Sequence, residues 1–145
     1  MDSRTIEPYV KQCSIKQLWE FIEDSLSVKG LPSPMYWVSR REIERRKNKG
    51  EIFLAMQREK MLGCIIVNSS NIDILCIRKL YKRRGIGKGL VDHVEQILHK
   101  DKRRKYIRVD SLERFKAKPF YERLGFRDYR SNAWDHTWHM KKELQ

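Results

Sequence analysis

A strand that runs into a glycine-rich turn and then a long helix is the feature that most constrains this 145-residue chain. The segment extends from Ile72 to Leu98, with Gly85, Gly87 and Gly89 in the turn. Glycine removes the side chain where backbone N–H groups must come close to a ligand. The start of the following helix supplies free amides and a positive dipole, which suit a phosphate. The segment therefore predicts an anion site.

The helix after the turn is predicted from its apolar periodicity, which forms one continuous stripe. The stripe comprises Leu90, Val91, Val94, Ile97 and Leu98. Two common nucleotide motifs are absent: the spacing G-x-x-x-x-G-K-[ST], and a full G-x-G-x-x-G with its acidic residue at the usual distance. The turn instead carries four basic residues that can neutralise bound phosphates. These are Lys82, Arg83, Arg84 and Lys88.

The turn resembles the coenzyme A motif of the GNAT superfamily of acyl-CoA N-acyltransferases, which reads Q/R-x-x-G-x-G/A. It fits as residues 82–87, or shifted by two positions as residues 84–89. We prefer the first frame, because it sets Tyr81 and the strand Ile74–Ile77 at the family's usual distances. Lys82 departs from the pattern, since the family prefers Gln or Arg there.

A second element, Ala117 to Phe126, is similar to the family's A-x-x-F-Y-E-K-L-G-F. Together the two motifs imply an α+β fold, with a mixed, mostly antiparallel central sheet flanked by helices. The implied order is β-α-α-β-β-β-α-β-α-β-β. Residues 1–145 contain no Pro/Gly/Ser-rich linker and no repeat, which predicts a single domain.

Other elements follow from local patterns. The apolar runs 51–56 and 62–67, with a short polar connection, predict an antiparallel hairpin. Ser14 with Gln17 and Ser39 with Glu42 form capping boxes at the starts of two helices. The second of these helices is short and basic, so we expect it on the surface.

The C-terminal part of the chain predicts three further elements. Tyr106–Asp110 is expected to form a strand, and Pro119–Leu124 a short helix that ends at Gly125. A closing hairpin is predicted from residues 126–129 and 134–140.

Site residues are assigned mainly by the resemblance. It implies that Tyr121 is the general acid toward the departing thiolate, and that a backbone N–H at Ile77 or Cys76 polarises the thioester carbonyl. The expected coenzyme-binding residues are Cys76, Ile77, Lys82, Arg83, Arg84, Gly85, Ile86, Gly87 and Lys88.

The general base is the least defined role. Asn71, Asp73, Leu75 and Ile77 share one strand face by period two, and the family often places an acidic base near the start of this strand. Asp73 is therefore the candidate, with a surface ion pair and a water chain as the alternatives. His136 and His139 are further candidates, although alternation puts them on opposite faces and makes one or both structural or exposed. No metal site is expected.

Cysteine content and apolar runs indicate the compartment. Cys13, Cys64 and Cys76 are odd in number and form no C-x-x-C pair, which argues against a disulfide framework or a zinc cluster. Cys64 and Cys76 lie in predicted strands and are expected to be core residues. The apolar runs are too short to span a membrane, and residues 1–4 lack the pattern of a signal peptide. We therefore expect a cytoplasmic protein with no membrane partner.

The chain carries a formal net charge of +13, which is typical of nucleic-acid binders. Residues 78–108 hold twelve Lys or Arg against three acids, around the expected phosphate site. Coenzyme A accounts for part of this excess. The remainder, on the second helix and beyond the central helix, indicates either a solvated surface or an acidic partner such as nucleic acid or an acidic protein.

The resemblance implies an N-acetyltransferase that moves an acetyl group from acetyl-CoA to a primary amine on a small molecule, peptide or protein. One alternative is acetylation of a nucleic-acid-associated acceptor, such as an aminoacyl-tRNA or a ribosomal protein. The other is a non-catalytic module that binds coenzyme A or nucleic acid. The resemblance implies that residues 30–37, between the first two helices, cover the acceptor cleft, and their aromatic side chains either line a pocket for the acceptor or anchor the loop to the core. A monomer and a homodimer are both compatible with the sequence.

Overall fold

The elements follow the predicted order along the chain. A computed structural model describes residues 4–9, 14–26, 39–131 and 135–144. The strands are β1 Arg4–Pro8, β2 Ile52–Gln57, β3 Lys60–Asn68, β4 Asn71–Ile77, β5 Tyr106–Leu112, β6 Arg127–Arg130 and β7 Thr137–Glu143. The helices are α1 Ile15–Leu26, α2 Arg40–Asn48, α3 Ile86–His99 and α4 Lys118–Arg123, with 3₁₀ turns at Lys79–Tyr81 and Glu113–Phe115.

One sheet of the order β1-β2-β3-β4-β5-β7-β6 contains all these strands. Every neighbouring pair is antiparallel except β4 and β5, which confirms the mixed, mostly antiparallel prediction. The parallel pair is short, because only Asn71 with Arg108 and Ile72 with Val109 are in register. Each of these strands has seven residues, so they separate beyond Ile72. The opening between them is called the β4–β5 gap below.

Two apolar layers enclose the sheet. Helix α3 buries Leu90, Val91 and Val94 against one face. On the other face, Leu18 and Ile22 of α1 pack with Ile43 of α2. Burial of apolar side chains on both faces is the main source of stability for such a layered fold. Within the described part of the chain, no helix is long and apolar enough to cross a membrane.

The first predicted capping box is formed in full. The backbone N–H of Gln17 donates to Ser14 Oγ (3.1 Å), and the N–H of Ser14 donates to Gln17 Oε1 (2.8 Å). The second box is only half formed. Glu42 N–H donates to Ser39 Oγ, whereas the Glu42 carboxylate binds the guanidinium groups of Arg45 and Arg46 instead. The two arginines lie three and four residues after Glu42 on the same helix face, and they bind its carboxylate in place of the backbone N–H of Ser39.

Three local predictions need correction. Ile97 is 40% exposed although its neighbour Leu98 is buried, because Ile97 lies at the edge of the apolar stripe of α3. The last strand begins at Thr137 and ends at Glu143, since the Thr137 N–H donates to Asp135 Oδ1 in a turn that includes His136 at positive φ. Helix α2 is not entirely a surface helix, because it buries Arg46 as well as Ile43. The predictions for Cys13 and for residues 30–37 lie outside the described residues.

Candidate active site

The glycine turn ends at the first residues of α3, as the sequence predicts. Gly85 is the N-cap residue, with a left-handed φ of 80°, and α3 starts at Ile86. The N–H groups of Ile86, Gly87 and Lys88 precede the first intrahelical bonds and have no helical acceptor. The N–H of Gly89 already donates to the Gly85 carbonyl (3.0 Å). Its amide is therefore occupied, which favours the motif frame 82–87 over 84–89.

The basic residues of the turn differ in how far they are already neutralised. Lys82 and Arg83 are exposed and form no ion pair with any described residue. Lys88 Nζ lies 2.9 Å from Asp92, and this hydrogen bond raises the pKa of the lysine. The guanidinium of Arg84 lies over the ring of Tyr81, 5.0 Å from its centroid. Lys82 and Arg83 are thus the two side chains most available to an anion.

A cavity of about 590 Å³ connects the turn with the second motif. Its lining includes Ile77 from β4, Gly85 and Gly87 from the turn, and Phe120 and Tyr121 from α4. Gly87 packs tightly here, since a Cβ at this position would lie 3.1 Å from Phe120 Cζ. The two sequence motifs therefore form two walls of one cavity.

Tyr121 lies between two other aromatic rings. Its ring makes edge contacts with Phe120 and Phe126, at centroid distances of 5.0 and 5.4 Å, and the residue is only 4% exposed. Among the described residues its hydroxyl has no hydrogen-bond partner. Burial raises the pKa of this phenol, so it keeps its proton at neutral pH. A neutral, unpaired phenol at a cavity wall can donate a proton or hydrogen bond to a bound group.

The end of β4 presents a backbone amide to the β4–β5 gap. The Arg78 N–H donates to the Leu62 carbonyl of β3 (2.7 Å). N–H groups alternate in direction along a strand. The N–H of Cys76 therefore also faces β3, whereas the N–H of Ile77 faces the gap. The geometry therefore favours Ile77 over Cys76 as the amide that polarises a carbonyl. The Cys76 side chain is buried and lines the cavity, and Cys64 and Cys76 are both buried residues within strands, as expected.

Asp73 has both carboxylate oxygens engaged. Its Oδ2 lies 2.8 Å from Nη1 of Arg46, whose side chain is 7% exposed, and its Oδ1 accepts a hydrogen bond from the Asn71 amide (2.8 Å). The alternating burial of β4 confirms that Asn71 and Asp73 share a face. To act as a base, Asp73 would have to exchange one of these partners for the amine. Its role as a base stays a prediction.

His139 is buried between two carboxylates. Its Nδ1 lies 2.7 Å from Asp110 Oδ1, and its Nε2 lies 2.8 Å from Asp135 Oδ2. Carboxylates only accept hydrogen bonds, so both ring nitrogens donate and the ring is an imidazolium. Burial lowers the pKa of His139, but the bonds to Asp110 and Asp135 outweigh it and raise the pKa overall. His139 is thus structural, whereas His136 is exposed and lies before β7.

We expect the His139 cluster to stabilise the fold more at pH 6 than at pH 9. A raised folded-state pKa contributes stability that is complete below the unfolded value, about 6.5, and is lost as pH rises through the folded value. The measurement is the difference in Tm between wild type and His139→Gln at both pH values. This difference should shrink as pH rises. The same difference at pH 6 and pH 9 would contradict a charged His139.

Comparisons with known proteins agree with this arrangement. A family model described as an acetyltransferase (GNAT) domain matches residues 16–144. No curated protein sequence matches the chain. PaiA N-acetyltransferase from Thermoplasma acidophilum, solved in complex with coenzyme A, is 19% identical, with a TM-score of 0.79 over 97% of this chain and 99% of that one.

Two further solved structures are similar. Ard1 from Thermoplasma volcanium is 15% identical, with a TM-score of 0.76 and 99% of each chain covered. N-acetylglutamate synthase from Neisseria gonorrhoeae, complexed with coenzyme A and N-acetyl-glutamate, is 12% identical, with a TM-score of 0.77 over 98% of this chain and 35% of that one. At these identities the structures support the fold. The family model extends over nearly the whole chain, and the protein therefore belongs to the GNAT acetyltransferases and is an acyltransferase.

Proposed function

We propose that this protein transfers an acetyl group from acetyl-CoA to a primary amine. The observation that carries the proposal is the single cavity that is lined both by the glycine turn at the start of α3 and by Tyr121. The pyrophosphate of the coenzyme would bind the amides of Ile86, Gly87 and Lys88. Lys82 and Arg83 would neutralise its charge. The coenzyme A bound to PaiA and to N-acetylglutamate synthase supports this choice of donor.

The residues around the β4–β5 gap suit the chemistry of acyl transfer. The amine nitrogen attacks the thioester carbon, and negative charge develops on the carbonyl oxygen. The Ile77 N–H would donate a hydrogen bond to this oxygen and so stabilise its negative charge. The carbon–sulfur bond then breaks, and Tyr121 donates its proton to the departing thiolate. The products are the amide, coenzyme A with its thiol protonated, and a phenolate that regains a proton from solvent.

The proton of the attacking amine needs an acceptor. His139 is already protonated and is unsuited to this role. We keep Asp73 as the candidate, because its Oδ1 accepts only a neutral hydrogen bond from Asn71. An incoming amine can replace that bond more easily than the charged bond between Oδ2 and Arg46.

Acetylation of defined amines tests the proposal. The protein is incubated with acetyl-CoA and separate pools of polyamines, peptides with free N-termini and lysine-containing peptides, and the products are identified by mass spectrometry. We expect at least one pool to gain a mass of about 42 Da per amine, the mass of an acetyl group replacing a proton, at a rate above the enzyme-free background. Absence of acetylation in every pool, together with no measurable acetyl-CoA binding, would contradict the proposal.

A further inference from the structure

A second groove lies at the opposite end of β4 from the glycine turn. It has a volume of about 660 Å³ and is formed by the β3–β4 turn, the residues before β5, one face of β5 and the end of β6. Its lining contains five basic residues and only one acidic residue. The basic residues are Arg103, Arg104, Lys105, Arg108 and Arg130, and they define the basic groove.

Most of the charge in the basic groove is not neutralised by any residue that the structure describes. Lys105, Arg108 and Arg130 have no acidic partner among the described residues. The acidic lining residue, Asp110, is already bound to His139. Arg103 and Arg104 share one acidic partner, Asp101, so a single negative charge is set against two positive charges. Several like charges held together without counter-ions favour a polyanionic ligand.

The walls of the basic groove are fixed by hydrogen bonds. Nη1 of Arg104 donates to Ser69 Oγ (2.5 Å) and Ser70 Oγ (2.8 Å) across the groove. The Arg108 N–H donates to the Ser70 carbonyl (2.8 Å), so the β3–β4 turn and β5 form one unit. Pre-organised donors lose less conformational entropy when a ligand binds.

Polar and aromatic groups complete the basic groove. Lys141 Nζ lies 4.4 Å from the ring centroid of Tyr106 and 5.4 Å from that of Tyr129, and both tyrosines line the groove. The exposed large apolar side chains among the described residues, Leu80 and Ile97, do not line it. A surface that inserts into a lipid bilayer needs such apolar groups. The lining instead suits phosphodiester oxygens, sugars and bases.

The basic groove leads toward the reaction centre. Asn71 and Asp110 line the groove, and Asp110 also lines a smaller cavity of about 80 Å³ in the β4–β5 gap. That smaller cavity is lined by Asp73 and Tyr121 as well, and Tyr121 lines the 590 Å³ cavity. The shared residue Asp110 places the basic groove next to this smaller cavity, so a chain bound in the groove lies beside the β4–β5 gap.

We propose that the basic groove binds the phosphate backbone of a single-stranded nucleic acid. The acceptor amine is then one carried on, or held beside, that strand, and this second part rests on the acetyl transfer proposed above. Backbone binding itself does not depend on acetyl transfer. The two parts can therefore fail separately.

Fluorescence anisotropy of a labelled 12-nucleotide oligouridylate tests backbone binding. With about four phosphate contacts, affinity should fall about 50-fold between 50 and 200 mM salt, because each contact releases counter-ions. Arg108→Glu with Arg130→Glu should weaken binding at least about 100-fold at 50 mM salt. The matched control is Arg40→Glu with Arg41→Glu on α2, which lowers the net charge by the same four units outside the groove. This control should stay within about fivefold of wild type.

Folding and coenzyme binding are checked in the same variants. Thermal melting should show that both double variants are folded, and their affinity for coenzyme A should match that of wild type. Absence of oligouridylate binding at 50 mM salt would overturn the proposal. So would equal losses in the two double variants, which would indicate a general charge effect. Equal competition by polyglutamate at the same charge concentration would assign the groove to an acidic protein instead.

Discussion

Replacing Tyr121 with phenylalanine is expected to lower kcat about 100-fold and to leave KM for acetyl-CoA little changed, the usual scale for losing a general acid. The substitution keeps the ring, its edge contacts with Phe120 and Phe126, and therefore the shape of the cavity wall. It removes only a hydroxyl that has no partner among the described residues. Steady-state kinetics with an identified amine acceptor measures the effect.

The Tm of this variant is the control. Because no described protein hydrogen bond is lost, Tyr121→Phe should melt within about 2 °C of wild type, a shift smaller than that of one typical hydrogen bond. A kcat within a factor of about two of wild type would make Tyr121 a packing residue and remove the proposed proton donor. A large loss of Tm would instead mean that the hydroxyl supports the fold.

Replacing Gly85 with aspartate is expected to weaken coenzyme A binding about 100-fold, or about 2.7 kcal/mol. The new carboxylate would lie at the N-cap of α3, where it repels the pyrophosphate and competes for the same amides. Gly85 is better suited to this test than Gly87. A Cβ at Gly85 meets no atom within 4 Å, whereas a Cβ at Gly87 would meet Phe120.

Gly85→Asn is the matched control for this prediction. Asparagine has nearly the same shape as aspartate and shares its tolerance of the left-handed backbone that Gly85 adopts. It carries no charge, so its affinity for coenzyme A should lie much closer to that of wild type. Isothermal titration calorimetry measures both. Equal affinities for the Asp and Asn variants would show that no phosphate lies against these amides.

The turn and its helix were predictable because their signals are local. Glycine spacing and the apolar stripe specify a strand, a turn and α3 within one short segment, and the structure has Gly85 at the N-cap. The reciprocal bonds of Ser14 and Gln17 are also encoded within four consecutive residues. Two motifs distant in sequence were assigned to one site only through the resemblance. The structure has both of them in the lining of a single cavity.

The pairings across the fold were not predictable from sequence. Arg46 and Asp73 belong to different elements, and no local pattern connects them. The sequence also left Ile77 and Cys76 as alternatives. Only the strand pairing, seen in the hydrogen bond from the Arg78 N–H to the Leu62 carbonyl, shows which of the two N–H groups faces the gap. Similarly, His139 was one of several titratable candidates until its two carboxylate partners were known.

The partners of the basic residues were also not predictable from sequence. A total of +13 indicates a polyanionic partner or a solvated surface, and the sequence left both interpretations open. Arg45 and Arg46 are part of the basic charge on the second helix that the sequence leaves unassigned, yet both bind Glu42. Arg108 and Arg130 are far apart in sequence but line one groove. Only the fold separates paired cations from those that a ligand can reach.

A crystal structure of the protein with coenzyme A tests the central claim most directly, which is that one cavity holds the coenzyme and brings its sulfur to Tyr121. We predict that the pyrophosphate accepts hydrogen bonds from the amides of Ile86, Gly87 and Lys88. We also predict that the sulfur lies within hydrogen-bonding reach of the Tyr121 hydroxyl. Coenzyme bound away from the glycine turn, or a sulfur that Tyr121 cannot reach, would contradict the account.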